Sequence, residues 1–168
     1  LLLHEGSKTF KLTVPGKPKG QSRPRFSFKT GRAYDPKESA ELKQTVKALV
    51  IGEVERSGWK IANPEMPVEV KIRSYREIPS SKPAWFKKAA AMELVVPLTK
   101  PDCDNTLKLV LDAMNGIVYH DDKQIFKESY EAFYSETPRT EIEVIGYFIN
   151  IGAVKEKVGA IKPVRKKR

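Results

Sequence analysis

The chain has one cysteine in 168 residues, so no internal disulfide can staple it and no thiolate pair can hold a zinc ion. Histidine is almost as scarce. His4 and His120 are the only imidazoles, too few for the usual zinc ligand sets. No apolar run approaches the roughly 18–20 residues that a membrane-spanning helix needs, and no segment repeats. The opening Leu1-Leu2-Leu3-His4-Glu5 is too short for a secretion signal, has no basic leader and lacks an initiator Met, as an appended or trimmed end would. These absences predict a cytoplasmic protein held together by an ordinary hydrophobic core, and the length suits one domain able to bury one.

Acidic residues are also in deficit. Lys and Arg number 31 against 21 Asp and Glu, a net charge of +10. An excess of that size in a small domain points to a polyanionic partner, most often nucleic acid. A merely soluble basic protein would have the same sum, so the chemistry must be sought in the order of residues.

Thr9 to Val14 alternates, with Phe10, Leu12 and Val14 on one face, and reads as a half-buried strand. Pro15-Gly16 ends it and opens a loop rich in turn formers and cations, Lys17 to Arg25, followed by Phe26, Phe28 and Tyr34 interleaved with Lys29 and Arg32. Asp35-Pro36-Lys37-Glu38 predicts a helix start, with Asp35 as N-cap, Pro36 at the first helical position and Glu38 closing a capping box. Leu42, Val46, Leu49, Val50 and Val54 form its apolar stripe, and Gly58 its end. Pro67 to Tyr75 alternates again. A short helix is expected over 84–93 and an extended lead-in over 95–98. The clearest helix runs from Asp104 to Asn115, with Leu107, Val110, Leu111 and Met114 at i, i+3, i+4, i+7 and Asn115-Gly116 as its stop. Ile117 to Tyr119 reads as a brief extended run, and Gln124 to Phe133 and Thr140 to Ile149 as two strands around a turn. The order β-α-β-α-α-β-β predicts an α/β domain, a small mixed sheet packed by helices. We divide the chain into an appended or disordered N-terminus (1–8), the domain proper (9–150) and a basic extension (151–168), helical and then frayed.

Asp102 and Asp104 bracket the start of the central helix. In an extended lead-in, residues at i and i+2 project to the same side while Cys103 turns away. Asp122 follows one helix and one short run later, so a returning strand could bring it back to the helix N-terminus. Two carboxylates roughly 4 Å apart repel by about 4 kcal/mol at an effective dielectric near 20, and a helix dipole offsets only about 0.3–1 kcal/mol. Such a cluster must take up protons or a cation, and hard oxygen donors favour Mg²⁺ or Mn²⁺. Lys108 lies one turn after Asp104 and one before Asp112, either as a cation for a phosphate or as a rung in a helix-surface ion-pair ladder. Asp104 alone could be an N-cap and Asp121-Asp122 a solvated turn. Asp112 reads as a surface charge, and His120 as a bystander. Cys103 reads as a small packed side chain, since carboxylates on both sides would repel a thiolate.

The run Lys100-Pro101-Asp102-Cys103-Asp104-Asn105, continuing through Lys108, Asn115-Gly116 and His120-Asp121-Asp122-Lys123-Gln124-Ile125, resembles the signature of RusA-type Holliday junction resolvases, small endonucleases common on phages and prophages. The basic loop Lys17 to Arg25 and Gly31-Arg32-Ala33-Tyr34 are similar to the family's N-terminal part. The resemblance implies a homodimer that binds four-way DNA junctions and nicks two strands symmetrically with Mg²⁺, in recombination and repair. It places the essential aspartates at Asp102, Asp104 and Asp122 and the catalytic lysine at Lys108, with Asn105 and Asp121 in supporting positions. Lys17, Lys19, Arg23, Arg25, Arg32 and Lys100 are the candidate DNA contacts, although the basic loop could equally be a solvated turn. The residues themselves leave two other readings open, a non-catalytic nucleic-acid-binding module and a metal-dependent nuclease acting on other branched DNA or on RNA.

Overall fold

A parallel strand pair cannot be closed by a tight turn, and in this chain it is the crossover joining such a pair that carries the acidic motif. The computed structural model describes residues 4–22, 25–34 and 36–160. Six strands and four helices follow in order: β1 (His4–Pro15), β2 (Arg25–Ser27), β3 (Arg32–Tyr34), α1 (Lys37–Ser57), β4 (Val68–Glu77), α2 (Ala84–Ala91), α3 (Cys103–Met114), β5 (Ile125–Ser135), β6 (Arg139–Ile149) and α4 (Ile151–Gly159). The fold is a mixed α+β arrangement. A four-stranded sheet has the order β1-β6-β4-β5, and β2 and β3 form a separate hairpin. β6 is antiparallel to both of its neighbours, while β4 and β5 are parallel. The short turn after β5 therefore carries the chain past β4, and the two strands that are consecutive in sequence do not pair with each other.

One face of the sheet makes the core. Phe10 and Leu12 of β1, Val68, Val70 and Ile72 of β4, and Ile142 and Val144 of β6 pack against Val46 and Val50 of α1 and Leu109, Val110, Ala113 and Met114 of α3. Each such aliphatic side chain contributes about 1.5–3 kcal/mol on burial, which holds both helices over the sheet. The opposite face is charged, and its charges meet across the strands. Lys11 and Lys71 flank Glu143 at 3.2 and 3.3 Å, Lys127 faces Glu69 at 2.7 Å, and Arg73 faces Glu131 at 2.8 Å. All of these are direct register partners. Burial alone would raise the Glu69 carboxyl, but hydrogen bonds from Lys127 and Tyr147 and the nearby lysine charges outweigh it and hold the group below its ordinary value.

Several boundaries differ from the sequence expectations for local reasons. β1 begins at His4, where it pairs with Ile149, and so takes in residues assigned to a peripheral N-terminus. α1 begins at Lys37. Pro36 stands at the N-cap with an extended backbone and no side chain caps the helix, so Glu38 closes no capping box; Asp35 lies outside the described residues. The first helical bond is instead accepted by the Pro36 carbonyl, from Ala40 N–H at 3.0 Å. α2 stops at Ala91, and residues 95–98 form no strand. The buried stripe of α3 is Thr106, Leu109, Val110, Ala113 and Met114, with Leu107 and Leu111 only at its edges. No described helix is long and apolar enough to cross a membrane.

Candidate active site

In a β4–helix–β5 crossover the connecting helix starts near the end of β4 and finishes near the start of β5. This places the two halves of the acidic motif. Arg76 stands near the end of β4, on the same side of the strand as Val68, Val70 and Ile72, and is 8% exposed. Its guanidinium donates to the carbonyl oxygens of Thr99 and Pro101 (2.7 Å to Pro101) and to the Tyr130 hydroxyl at 3.2 Å. The strand end thus holds the segment that leads into Asp102, the extended residue capping α3. Buried guanidinium groups ordinarily face a carboxylate; here backbone carbonyls take that place, and Nε has no partner. Arg76 lies one residue past the strand end expected from the sequence, Tyr75. An arginine in phase with a run of core valines was the available signal.

From the other side, the loop after β1 docks on the start of α3. Gln21 N–H donates to the Asn105 carbonyl at 3.0 Å, and Ser22 N–H to Ser39 Oγ of α1 at 3.0 Å. Gly20 lies so close to α3 that a Cβ there would come within 2.8 Å of the Asn105 Cβ. The loop, the first turn of α1 and the start of α3 enclose an open groove of about 690 Å³, lined among others by Lys19, Gln21, Glu38, Lys100, Asp102, Asp104 and Asn105. Asn105 Nδ2 lies 3.5 Å from Asp102 Oδ2. Neither Asp102 nor Asp104 makes an ion pair among the described residues, although Lys19 and Lys100 line the same walls.

Lys108, one turn beyond Asp104, is exposed and has no ion-pair partner among the described residues. The helix-surface ladder does not form, because Asp112 turns to Lys43 of α1 at 2.8 Å. Cys103 is exposed rather than packed. Of the other candidate cations, Lys17 pairs with Glu77, Arg25 and Arg32 lie on the exposed hairpin, and Arg23 lies outside the described residues.

Asp122 is placed elsewhere. After α3 the chain does not return as an extended strand. It turns at once, with Val118 N–H bonded to the Met114 carbonyl at 3.0 Å and Gly116 N–H to the Tyr119 carbonyl at 2.8 Å. Asp122 then lines a shallow depression with Leu111, Lys123, Ile125, Phe126, Lys127 and Glu128, beside the C-terminal turns of α3. Leu111 is nine residues along the chain from Asp102, about 13 Å at 1.5 Å per residue. Accordingly, no three Asp, Glu, His or Cys side chains stand together as a metal-holding group among the described residues.

The turn that carries Asp122 is rigidly tied. Asp121 caps it through Lys123 N–H at 3.0 Å, and this bond leads the effects that lower the Asp121 carboxyl. Gln124 completes a capping box and is 7% exposed. Its amide oxygen accepts from His120 N–H at 2.8 Å, and its nitrogen donates to the carbonyls of Asn63 and Met66 at 2.7 and 3.0 Å. Asp121-x-x-Gln124 is the sequence signature of this box. Beneath the turn, Tyr119 is fully buried and donates to the Leu111 carbonyl at 2.9 Å. Burial, then Asp122 and Asp112, push its hydroxyl far above the ordinary tyrosine value, so it stays protonated and keeps that bond.

The groove suits a hard divalent cation. Its donors are carboxylate and amide oxygens, with no imidazole or thiol among its lining residues. The buried Gln21 Oε1 has no hydrogen-bond partner. Mg²⁺ is commonly held by one or two carboxylates with water and substrate phosphate completing the shell. The Asp102–Asp104 pair fits that pattern.

With the geometry in view, the comparisons give the class. The chain belongs to the RusA family of endodeoxyribonucleases, whose model matches residues 15–145. It is also 40% identical over 138 residues to the uncharacterized protein YqaN of Bacillus subtilis (strain 168), an alignment covering 80% of this chain and 94% of that protein.

Proposed function

We propose that this chain is a Mg²⁺-dependent endodeoxyribonuclease that resolves four-way DNA junctions by paired nicks, acting as a homodimer. The observation that carries the reading is the groove at the start of α3, where two carboxylates without ion-pair partners among the described residues share the lining with Lys19 and Lys100. A plain anion site would neutralise its acids, and a plain DNA grip would not set carboxylates against phosphate. When bound, a divalent cation (Mg²⁺, with Mn²⁺ as a substitute) would neutralise the scissile phosphate and favour attack by water. Asp102 and Asp104 would hold the ion, and Arg76 keeps the segment leading into Asp102 at the helix start. Lys19 and Lys100 fix the DNA backbone beside them. Lys108 presents its ammonium one turn on, where it can offset charge developing on the departing oxygen.

Asp122 belongs to this set through the family resemblance, and its position beside the far end of α3 gives the homodimer a role. A second copy can bring its own Asp122 to the groove, so that each site draws on two chains. Incubation of a synthetic four-way junction with Mg²⁺ should give symmetric nicks on two opposing strands, as a two-fold dimer requires. Asp102→Asn and Asp122→Asn should each bind the junction and fail to cut it. Mixing the two inactive variants should restore cutting at one site per dimer, because one groove then has both wild-type carboxylates. Cutting retained in either single variant would overturn the site assignment, and a dead mixture would place all three carboxylates in one chain. Binding with no nicking under any divalent cation would instead identify a non-catalytic module. Preferential cutting of flaps or RNA would identify a different nuclease.

A further inference from the structure

The β2–β3 hairpin has no place in the core. None of residues 25–34 is buried, and the hairpin pairs with no strand of the main sheet. Yet it displays three large aromatic side chains. Phe28 is 95% exposed, Phe26 57% and Tyr34 49%. Phe26 and Phe28 meet edge to face with ring centroids 5.5 Å apart, which leaves ring surface open to solvent. The tip is a tight turn, not a loose end. Gly31, at φ +64°, donates from its N–H to the Ser27 carbonyl at 2.8 Å, and Thr30 N–H lies 3.3 Å from Ser27 Oγ. Arg25, Lys29 and Arg32 alternate with the rings along the same ten residues.

Both ends of the hairpin are tethered by short links to segments that line the carboxylate groove. On one side Gln21 and Ser22 are bonded to α3 and α1, and only two residues separate Ser22 from Arg25, a span of about 10 Å at most. On the other side α1 begins three residues after Tyr34, and its Glu38 and Ser39 line the groove. Aromatic rings interleaved with cations, held on a turn beside a phosphodiester-cutting site, have the chemistry of a surface for unstacked bases. The cations grip flanking phosphates, and the rings offer stacking faces that any base can use. Duplex arms present no free base faces. A branch point, where the continuous stack is interrupted, does.

We infer that this hairpin is the junction-sensing element of the enzyme: Phe28, supported by Phe26 and Tyr34, stacks on bases unstacked at the branch point and so makes the chain prefer branched DNA to duplex. The inference rests on the junction-cutting reading above and adds to it the residues that select the substrate.

The test uses the full chain without divalent cation, so that DNA is bound and not cut, and compares a four-way junction with a duplex of the same sequence. Phe28→Ala should weaken junction binding by about tenfold, within the range that one base–aromatic stack supplies, and change duplex binding by less than about twofold. Phe28→Trp should keep the preference, while Phe28→Leu, apolar but without a stacking face, should lose it. A 5-iodouracil at the branch point should photo-crosslink to a peptide within residues 25–34, and one placed within an arm should not. An unchanged ratio of junction to duplex affinity in Phe28→Ala would overturn the inference while leaving the nuclease reading intact. So would equal loss on both DNAs together with loss of the dimer, which would make the hairpin a protein–protein contact. Wild-type protein with no junction preference at all would instead count against the junction-cutting reading on which the inference stands.

Discussion

Arg76 is a buried cation that donates to two backbone carbonyls just upstream of a candidate catalytic carboxylate, as well as to the Tyr130 hydroxyl. Hydrogen bonds from a charged donor contribute about 1.5–3 kcal/mol, so the residue matters to stability. Its position suggests a second effect, on the placement of Asp102. Arg76→Gln keeps a planar donor group but is too short to span both carbonyls, and should leave the chain folded with a lowered Tm. We expect junction cutting under saturating DNA to fall by about 100-fold, the scale on which a misplacement of about 1 Å acts, with junction affinity nearly unchanged. Arg76→Lys should recover stability better than turnover, since one ammonium cannot address both carbonyls in fixed directions. If turnover falls only in proportion to the fraction of unfolded protein, Arg76 is a core residue and nothing more. Gln124 works on the other acidic turn by similar means, with every polar atom of a buried amide joined to the backbone around Asp122.

Among the elements, the docking of the β1–hairpin loop on α3 is the contact that makes the groove, and its closeness makes it fragile. Gly20→Ala would put a methyl group 2.8 Å from the Asn105 Cβ and 3.3 Å from both the Asn105 carbonyl carbon and the Pro101 Cβ. Loop or helix must then give way. Overpacking of this kind costs about 1–3 kcal/mol, and Tm falls by about 2–4 °C per kcal/mol in a domain near this size. Because the loop brings Lys19 to the carboxylates, cutting should drop more than thermal stability does, and a kinetic assay beside a melting curve would separate the two. Unchanged activity would mean that the loop does not wall the site. The four strands of the main sheet and α3 were legible in the sequence because their signals are local: alternation in 68–72 and the 3.6-residue period in 107–114 reflect burial on one face, whereas the exposed β2–β3 hairpin has no such pattern. The tertiary placement was not. Nothing near Ser135 to Pro138 says that β6 will settle between β1 and β4 instead of beside β5. Ile117-Val118-Tyr119 is apolar enough for a strand, yet it is consumed in burying Tyr119 under a turn, and this leaves Asp122 away from the pair it was expected to join. Asp102 and Asp104 were legible as a pair at the start of α3, and the structure sets both on one groove. The residues that hold it in place, Arg76, Gly20 and Gln124, act through contacts distant in sequence.

At the scale of the whole molecule the question is where the +10 charge faces. The open face of the sheet has many cations, but they are matched: Lys11 and Lys71 with Glu143, Lys127 with Glu69 and Arg73 with Glu131 across the strands, and Arg139 with Glu141 along β6. A polyanion approaching that face meets nearly balanced charge. Around the groove and hairpin, Lys19, Arg25, Lys29, Arg32, Lys100 and Lys108 have no ion-pair partner among the described residues. Free cations release counterions from DNA on binding, and paired ones must first give up their carboxylates. Each phosphate neutralised steepens the fall of log affinity with log salt by about 0.9 for duplex DNA. Lys19→Ala and Lys100→Ala should therefore each reduce the salt slope of junction binding by about one unit, measured in titrations across a range of NaCl concentrations without divalent cation. Lys71→Ala, on the balanced face, should leave the slope unchanged even where it lowers stability. The three variants together ask which side of the sheet meets DNA. A slope that responded to Lys71 and not to Lys19 or Lys100 would put the DNA on the charged sheet face, away from the carboxylate groove, and would remove the electrostatic basis for placing the scissile phosphate beside Asp102 and Asp104.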